Sequence, residues 1–134
     1  MEQNNKTAAP IRVLVVEDEI LINEWLAQEL AEQGFSVQAV TNAADAVGRL
    51  ATEGVDVLFT DLNLPGGMDG AALARRAREL WPNLAVVYAS ARAAALAPEA
   101  RVPGAVILPK PYHPTLVGRL LTALSRAAAA SAPA

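Results

Sequence analysis

VDVLFTDLNLPGGMDG, residues 55–70, begins as a strand and halts at an acid. Residues 55–60 are apolar or β-branched except for one Asp; Asp61 follows, and then a turn-rich segment with Pro65, Gly66, Gly67 and Gly70. A continuous apolar run of this length, bounded by turn residues, reads as a strand covered on both faces. A carboxylate closing such a strand has an ordinary explanation, because Asp often caps a helix. The flanking sequence decides between capping and chemistry.

Outward from this stretch the chain alternates strand-like and helix-like segments. IRVLVV (11–16) is a second buried strand, and FSVQAV (35–40) alternates as a more exposed one. LAVVYA (84–89) and AVIL (105–108) complete five strands. Between them, Ile22, Trp25, Leu26 and Leu30 recur at helical spacing before Gly34. Asn42 caps a helix carrying Ala43, Val47 and Leu50, with Asp45 in its first turn. Asp69 or Gly70 opens a third helix with Leu73, Ala77 and Leu80 inward, and Trp81–Pro82 ends it. Residues 91–104 predict a short fourth helix cramped by Pro98 and Pro103. Pro114 opens the last helix, marked by Leu116, Val117, Leu120, Leu121 and Leu124.

Strands alternating with helices predict an α/β, doubly wound (βα)5 domain with right-handed crossovers. The expected domain covers residues 10–126, between a disordered tail (1–9) and an Ala-rich tail (127–134) that at most extends the final helix. The net charge of −3 disfavours direct nucleic-acid binding. No apolar run approaches the roughly 20 residues of a membrane span, and residues 1–10 lack a secretory signal. A cytoplasmic location without membrane insertion is expected, and the absence of Cys leaves no thiolate metal site.

In parallel sheets, ligands bind beyond the carboxyl ends of the strands, where the strand order reverses. Those ends carry Glu17-Asp18-Glu19, Asp61, Ser90 and Lys110, whereas the second strand ends in Thr41-Asn42 without charge. A flavodoxin-like order 2-1-3-4-5 brings the charged ends together. Glu17, Asp18 and Asp61 would repel one another unless a cation sits among them, and hard oxygen donors favour Mg²⁺. Ser90 and Lys110 can then hold phosphoryl oxygens, with Asp61 as nucleophile. Nine of the 11 basic residues are Arg, so Lys110 stands where a compact charge is wanted.

The motifs VLVVEDE, FTDLNLPGGMDG, YASA and LPKPY, in this order, resemble the receiver domain of two-component response regulators over residues 11–125. The spacings are similar too: 43 residues from Asp18 to Asp61, 29 to Ser90 and 20, a little short, to Lys110. The resemblance implies that Asp61 is the phosphoacceptor, Asp18 a direct Mg²⁺ ligand and Glu17 the holder of metal-bound water. It implies that the Asn63 backbone carbonyl completes the metal site, that Ser90 is the switch hydroxyl and that Lys110 contacts phosphate. A cis peptide at Lys110–Pro111 is implied as well. The implied function is that of a single-domain response regulator, not a classical enzyme. It takes its phosphoryl group from a histidine kinase or phosphotransfer protein and signals to a downstream protein target. A weak homodimer through the helix four–strand five–helix five face is implied with it.

Some residues have plainer readings. Glu17 to Glu19 suit a helix start, His113 a cap, Trp25 and Trp81 core and helix-end packing, and Arg75, Arg76 and Arg78 a solvated face. Ile107 departs from the resemblance, which places an aromatic residue three positions before the lysine. Asn63 and Arg92 occupy positions that tune dephosphorylation in the family. Three other readings stay open: a phosphorylation-independent interaction module, a receiver piece of a larger regulator or hybrid kinase, and a Mg²⁺-dependent phosphatase or phosphotransferase acting on small molecules.

Overall fold

The computed structural model describes residues 9–92 and 96–131. Five strands, β1 (Arg12–Val16), β2 (Ser36–Val40), β3 (Val57–Asp61), β4 (Ala85–Ser90) and β5 (Val106–Pro109), form one sheet in the order β2-β1-β3-β4-β5. All four pairings are parallel, with Val16 opposite Thr60, Asp61 opposite Ala89 and Ser90 opposite Pro109. This is the flavodoxin-like order expected from the strand ends. Four α-helices accompany it: α1 (Ile20–Glu32), α2 (Ala43–Thr52), α3 (Gly70–Leu80) and α4 (Pro114–Ser131). Among the described residues no helix is long and apolar enough to cross a membrane.

Alternate side chains of a strand leave on opposite faces, and the central strands are apolar on both. On one face Leu14, Val16, Leu58, Val86 and Tyr88 pack with α2 and α3 residues such as Leu50 and Leu73. On the other, Val13, Val15, Val57, Phe59 and Val87 meet Leu26 and Leu30 of α1 and Val117 and Leu121 of α4. Fully burying each such side chain is worth roughly 1.5–3 kcal/mol, so the two layers fix the sheet between them. The caps match their residue types: the Asn42 and Asp69 side chains accept the N–H groups of Asp45 and Ala72. His113 Nδ1 accepts the Thr115 N–H at 3.2 Å at the start of α4.

The short fourth helix expected within residues 91–104 is a 3-10 turn at Pro98–Ala100, where Pro98 and Pro103 remove the donors a longer helix needs; residues 93–95 of that segment lie outside the described residues. Trp25 and Arg78 depart from their expected settings. Trp25 is not core: it is 43% exposed, stacked on Tyr112 at 6.3 Å. Leu116 is also exposed, at 52%, since it points off the buried stripe of Val117 and Leu121. Arg78 is no solvated residue. Its guanidinium donates to the carbonyls of Leu84 (2.6 Å) and Pro103 (2.7 Å), while Arg75 and Arg76 remain exposed. The Ala-rich segment through Ser131 continues α4, with Ala128 against the core.

Candidate functional site: an acidic pocket at the sheet's carboxyl edge

Strand β1 delivers Glu17 into the interior, where it is 1% exposed, and Asp18 just outside. The Glu17 N–H continues the ladder to the Val40 carbonyl at 3.2 Å, and Glu17 Oε2 accepts the Glu19 N–H at 3.1 Å. Asp61 closes β3, buried, with Oδ1 accepting the Asn63 N–H at 3.2 Å. From β5, the Lys110 N–H donates to the Ser90 carbonyl at 2.8 Å, which carries the side chain across the sheet edge. Its Nζ lies 3.0 Å from Asp61 Oδ2 and 3.3 Å from Glu17 Oε1. The Lys110–Pro111 peptide is cis.

Carboxylate oxygens of Glu17, Asp18 and Asp61 all lie within 4.8 Å of one another. Three acids face one ammonium, so two negative charges stay unmatched. Hard oxygen donors at this separation, with one acid open to water, fit a divalent cation of the Mg²⁺ kind. Burial pushes the Glu17 carboxyl above its usual range; the Glu19 N–H and Lys110 charge oppose this, and Asp61 adds to it. For Lys110, burial acts downward, but the hydrogen bond and charge of Asp61, then Glu17, hold the ammonium above the ordinary lysine value.

Glu17, Asp18, Asp61 and Lys110 are thus brought together, and Asn63 is fastened beside the carboxylate by its N–H. Ser90 is buried at the end of β4, but its hydroxyl is engaged by its own loop. It accepts the Arg92 N–H at 3.0 Å and donates to the Arg92 carbonyl at 2.9 Å.

Three residues support the site in roles that the sequence reading did not assign. Asn23 of α1 is 6% exposed and donates from Nδ2 to the carbonyls of Glu17 (3.1 Å) and Val40 (2.8 Å), fixing the loop that carries the acids. Its signal was present, since it shares the helical stripe of Leu26 and Leu30. Gly70 has no side chain because a Cβ there would stand 2.8 Å from Leu62 Cα and closer still to the Asp61 carbonyl oxygen. Its N–H donates to the Leu62 carbonyl at 2.9 Å, docking α3 under the acceptor. A Gly opening a helix just after an Asp cap was the clue. Tyr112 stands edge-on to Phe59 at 5.5 Å, its buried hydroxyl without a hydrogen-bond partner among the described residues. Burial, then the charges of Glu17, Asp61 and Glu19, hold that phenol above its usual range.

Comparison with known proteins converges on one family. The model described as response regulator receiver domain matches residues 13–122. The response regulator receiver protein CpdR of Brucella abortus is 38% identical over 104 residues, covering 76% of this chain and 86% of the relative. The sensor histidine kinase RcsC of Salmonella typhimurium is 34% identical over 83 residues, 62% of this chain but 9% of that protein. Among solved structures, a response regulator receiver protein from Sinorhizobium medicae superposes with a TM-score of 0.83 at 31% identity, covering 89% of this chain and 97% of that one. A CheY-like receiver domain from Methanospirillum hungatei shares the fold, with a TM-score of 0.82 at 20% identity over 92% of this chain and 99% of that one.

Proposed function

This chain belongs to the response regulator receiver domain family of two-component signalling, and on that premise we propose that Asp61 is its phosphoacceptor and that Mg²⁺ is its cofactor. The observation that carries the reading is the Lys110 ammonium held at 3.0 Å from Asp61 Oδ2 beside three carboxylates that converge within 4.8 Å.

Glu17, Asp18 and Asp61, with the Asn63 backbone carbonyl, would hold the metal, which when bound draws phosphoryl oxygens in and offsets their charge. Lys110 is a compact cation already anchored in the pocket, and it turns from Asp61 to a phosphoryl oxygen as that group arrives. One Asp61 carboxylate oxygen forms the new P–O bond while the P–N bond of the donor's phosphoimidazole breaks. The departing nitrogen keeps the electron pair and takes a proton from solvent. Ser90 exchanges its local bond to the Arg92 carbonyl for one to the phosphoryl group, and the loop it leaves shifts between two populations. The phosphoryl source is a histidine kinase or phosphotransfer protein, and the output is altered binding to a downstream protein in the cytoplasm. No enzymatic turnover of an external substrate is required of it.

Intact mass after incubation with acetyl phosphate and Mg²⁺ tests this. Wild type gains one phosphoryl group and Asp61→Asn gains none; a wild type that stays unmodified overturns the reading. Thermal stabilisation by Mg²⁺ without any phosphoryl gain would identify a phosphorylation-independent interaction module instead.

A further inference from the structure

The β4–β5 side of the pocket raises a separate question: what holds Lys110 in place? Strand β5 has four residues and pairs with β4 alone, at the sheet's edge. Among the described residues it is preceded by the 3-10 turn at Pro98–Ala100. Because side chains alternate, a slip of one residue would turn each of them to the other face. The lysine that follows Pro109 would then leave the acids.

The entry to β5 is a tight turn over residues 102–105, Val-Pro-Gly-Ala, closed by the Ala105 N–H donating to the Val102 carbonyl at 3.1 Å. Pro in the second position and Gly104, at φ 79°, in the third are the residues a type II turn demands. The turn's outward groups go to two side chains from other elements. The Val102 N–H donates to the Tyr88 hydroxyl at 3.1 Å, and the Pro103 carbonyl accepts from Arg78 Nη2 at 2.7 Å. Tyr88 is fully buried, lies opposite Ile107 in the β4–β5 register, and is two residues before Ser90 on the same strand. Arg78 is anchored in turn by Nε on the Leu84 carbonyl at 2.6 Å.

We propose that Tyr88 and Arg78 are positioning residues for Lys110: they pin the turn that launches β5 and so set the phase in which the lysine meets Asp61. Ile107 carries no polar atom to share this task. Glu17, Asp18 and Asp61 instead leave β1 and β3, central strands paired on both sides, and their loop is anchored by Asn23, not by this turn. The geometric part stands on the bonds above; its consequence for phosphoryl transfer rests on the function proposed for Lys110.

The test uses the whole chain with Tyr88→Phe, which keeps the ring and deletes the acceptor, and Arg78→Lys, which keeps the charge and loses the two-carbonyl fork. Residue-resolved amide exchange, Mg²⁺ titration by calorimetry and phosphoryl uptake from acetyl phosphate are measured on each. Exchange at the Val102 and Lys110 amides is expected to speed up about fivefold, the loss of one ordinary hydrogen bond. Uptake slows by a similar factor while the Mg²⁺ dissociation constant stays within about twofold, a split that general destabilisation would not produce. Faster exchange at Val102 with an unchanged Lys110 amide overturns the proposal, as does a fall of metal affinity and uptake together. Should wild type take no phosphoryl group, the proposed function fails, and exchange at Lys110 still decides whether the clamp positions it.

Discussion

Strand β3 has an acid at each end of its run, and the two live in opposite circumstances. Asp56, at the amino edge of the sheet, accepts the Arg12 N–H at 2.8 Å and the Arg12 guanidinium at 3.2 and 3.0 Å. Burial acts upward on its carboxyl, but the bonds and charge of Arg12 outweigh it and hold the group below the usual carboxylate range. One anion meets one cation, and every demand is met within the protein. At the carboxyl edge, Asp61 shares a single ammonium with Glu17, while Asp18 has no cationic partner among the described residues. The same side chain thus fastens two strands at one end and leaves unspent charge at the other. An excess that the fold does not neutralise marks the end where a ligand belongs.

The sharpest way to break the contrast is to push on the acceptor's backbone. Gly70→Ala would drive a Cβ into the Asp61 carbonyl and Leu62 Cα, so α3 must move or the β3 end must yield. A loss of about 3 kcal/mol or more is expected from urea denaturation. Next comes Asn23→Ala, which leaves the buried Glu17 carbonyl unpaired. It should cost about 2 kcal/mol and weaken Mg²⁺ binding, because the acid loop loses its anchor.

Glu17→Gln should act in the other direction. A carboxyl whose folded pKa is raised stabilises the fold below its unfolded value and loses that contribution as pH rises through the folded value. Ionised Glu17 is therefore a cost at neutral pH. The neutral isostere should gain stability there, and the gain should vanish as the solution is acidified and Glu17 itself becomes neutral. Denaturation midpoints across pH check this, with Mg²⁺ affinity expected to fall at the same time. Asp56→Asn should have the smallest effect, about 0.5 kcal/mol, since the pair is partly solvated. Its sign is the reverse of Glu17→Gln. A depressed carboxyl contributes above its unfolded pKa and loses that contribution as pH falls through the folded value, so this penalty fades in acid.

Much of this was legible before any coordinates. Local patterns announce themselves within a few residues: apolar runs for the strands, Asn42 and Asp69 for the caps, Gly34 for a helix stop. The fold and the convergence of Glu17, Asp18, Asp61 and Lys110 followed from topology, because parallel strands place all their carboxyl ends on one edge. The misreadings share a cause. Arg78 and Trp25 were judged by residue type and Asn23 went unread, yet their roles depend on partners far along the chain, such as Pro103, Tyr112 and Val40. The fourth helix was expected to be short because of Pro98 and Pro103, and among the described residues a 3-10 turn at Pro98–Ala100 stands there.

By itself the sequence determined the alternation of strands and helices, and with it the gathering of acids, a hydroxyl and a lysine along one edge. These follow from side-chain periodicity and backbone chirality, which act over a few residues. Tertiary structure alone decided which of the grouped side chains touch, how Lys110 divides itself between Glu17 and Asp61, and what anchors the strand that carries it. Such outcomes hinge on distances of a few tenths of an ångström between residues 49 and 93 positions apart, and a linear pattern holds no record of them.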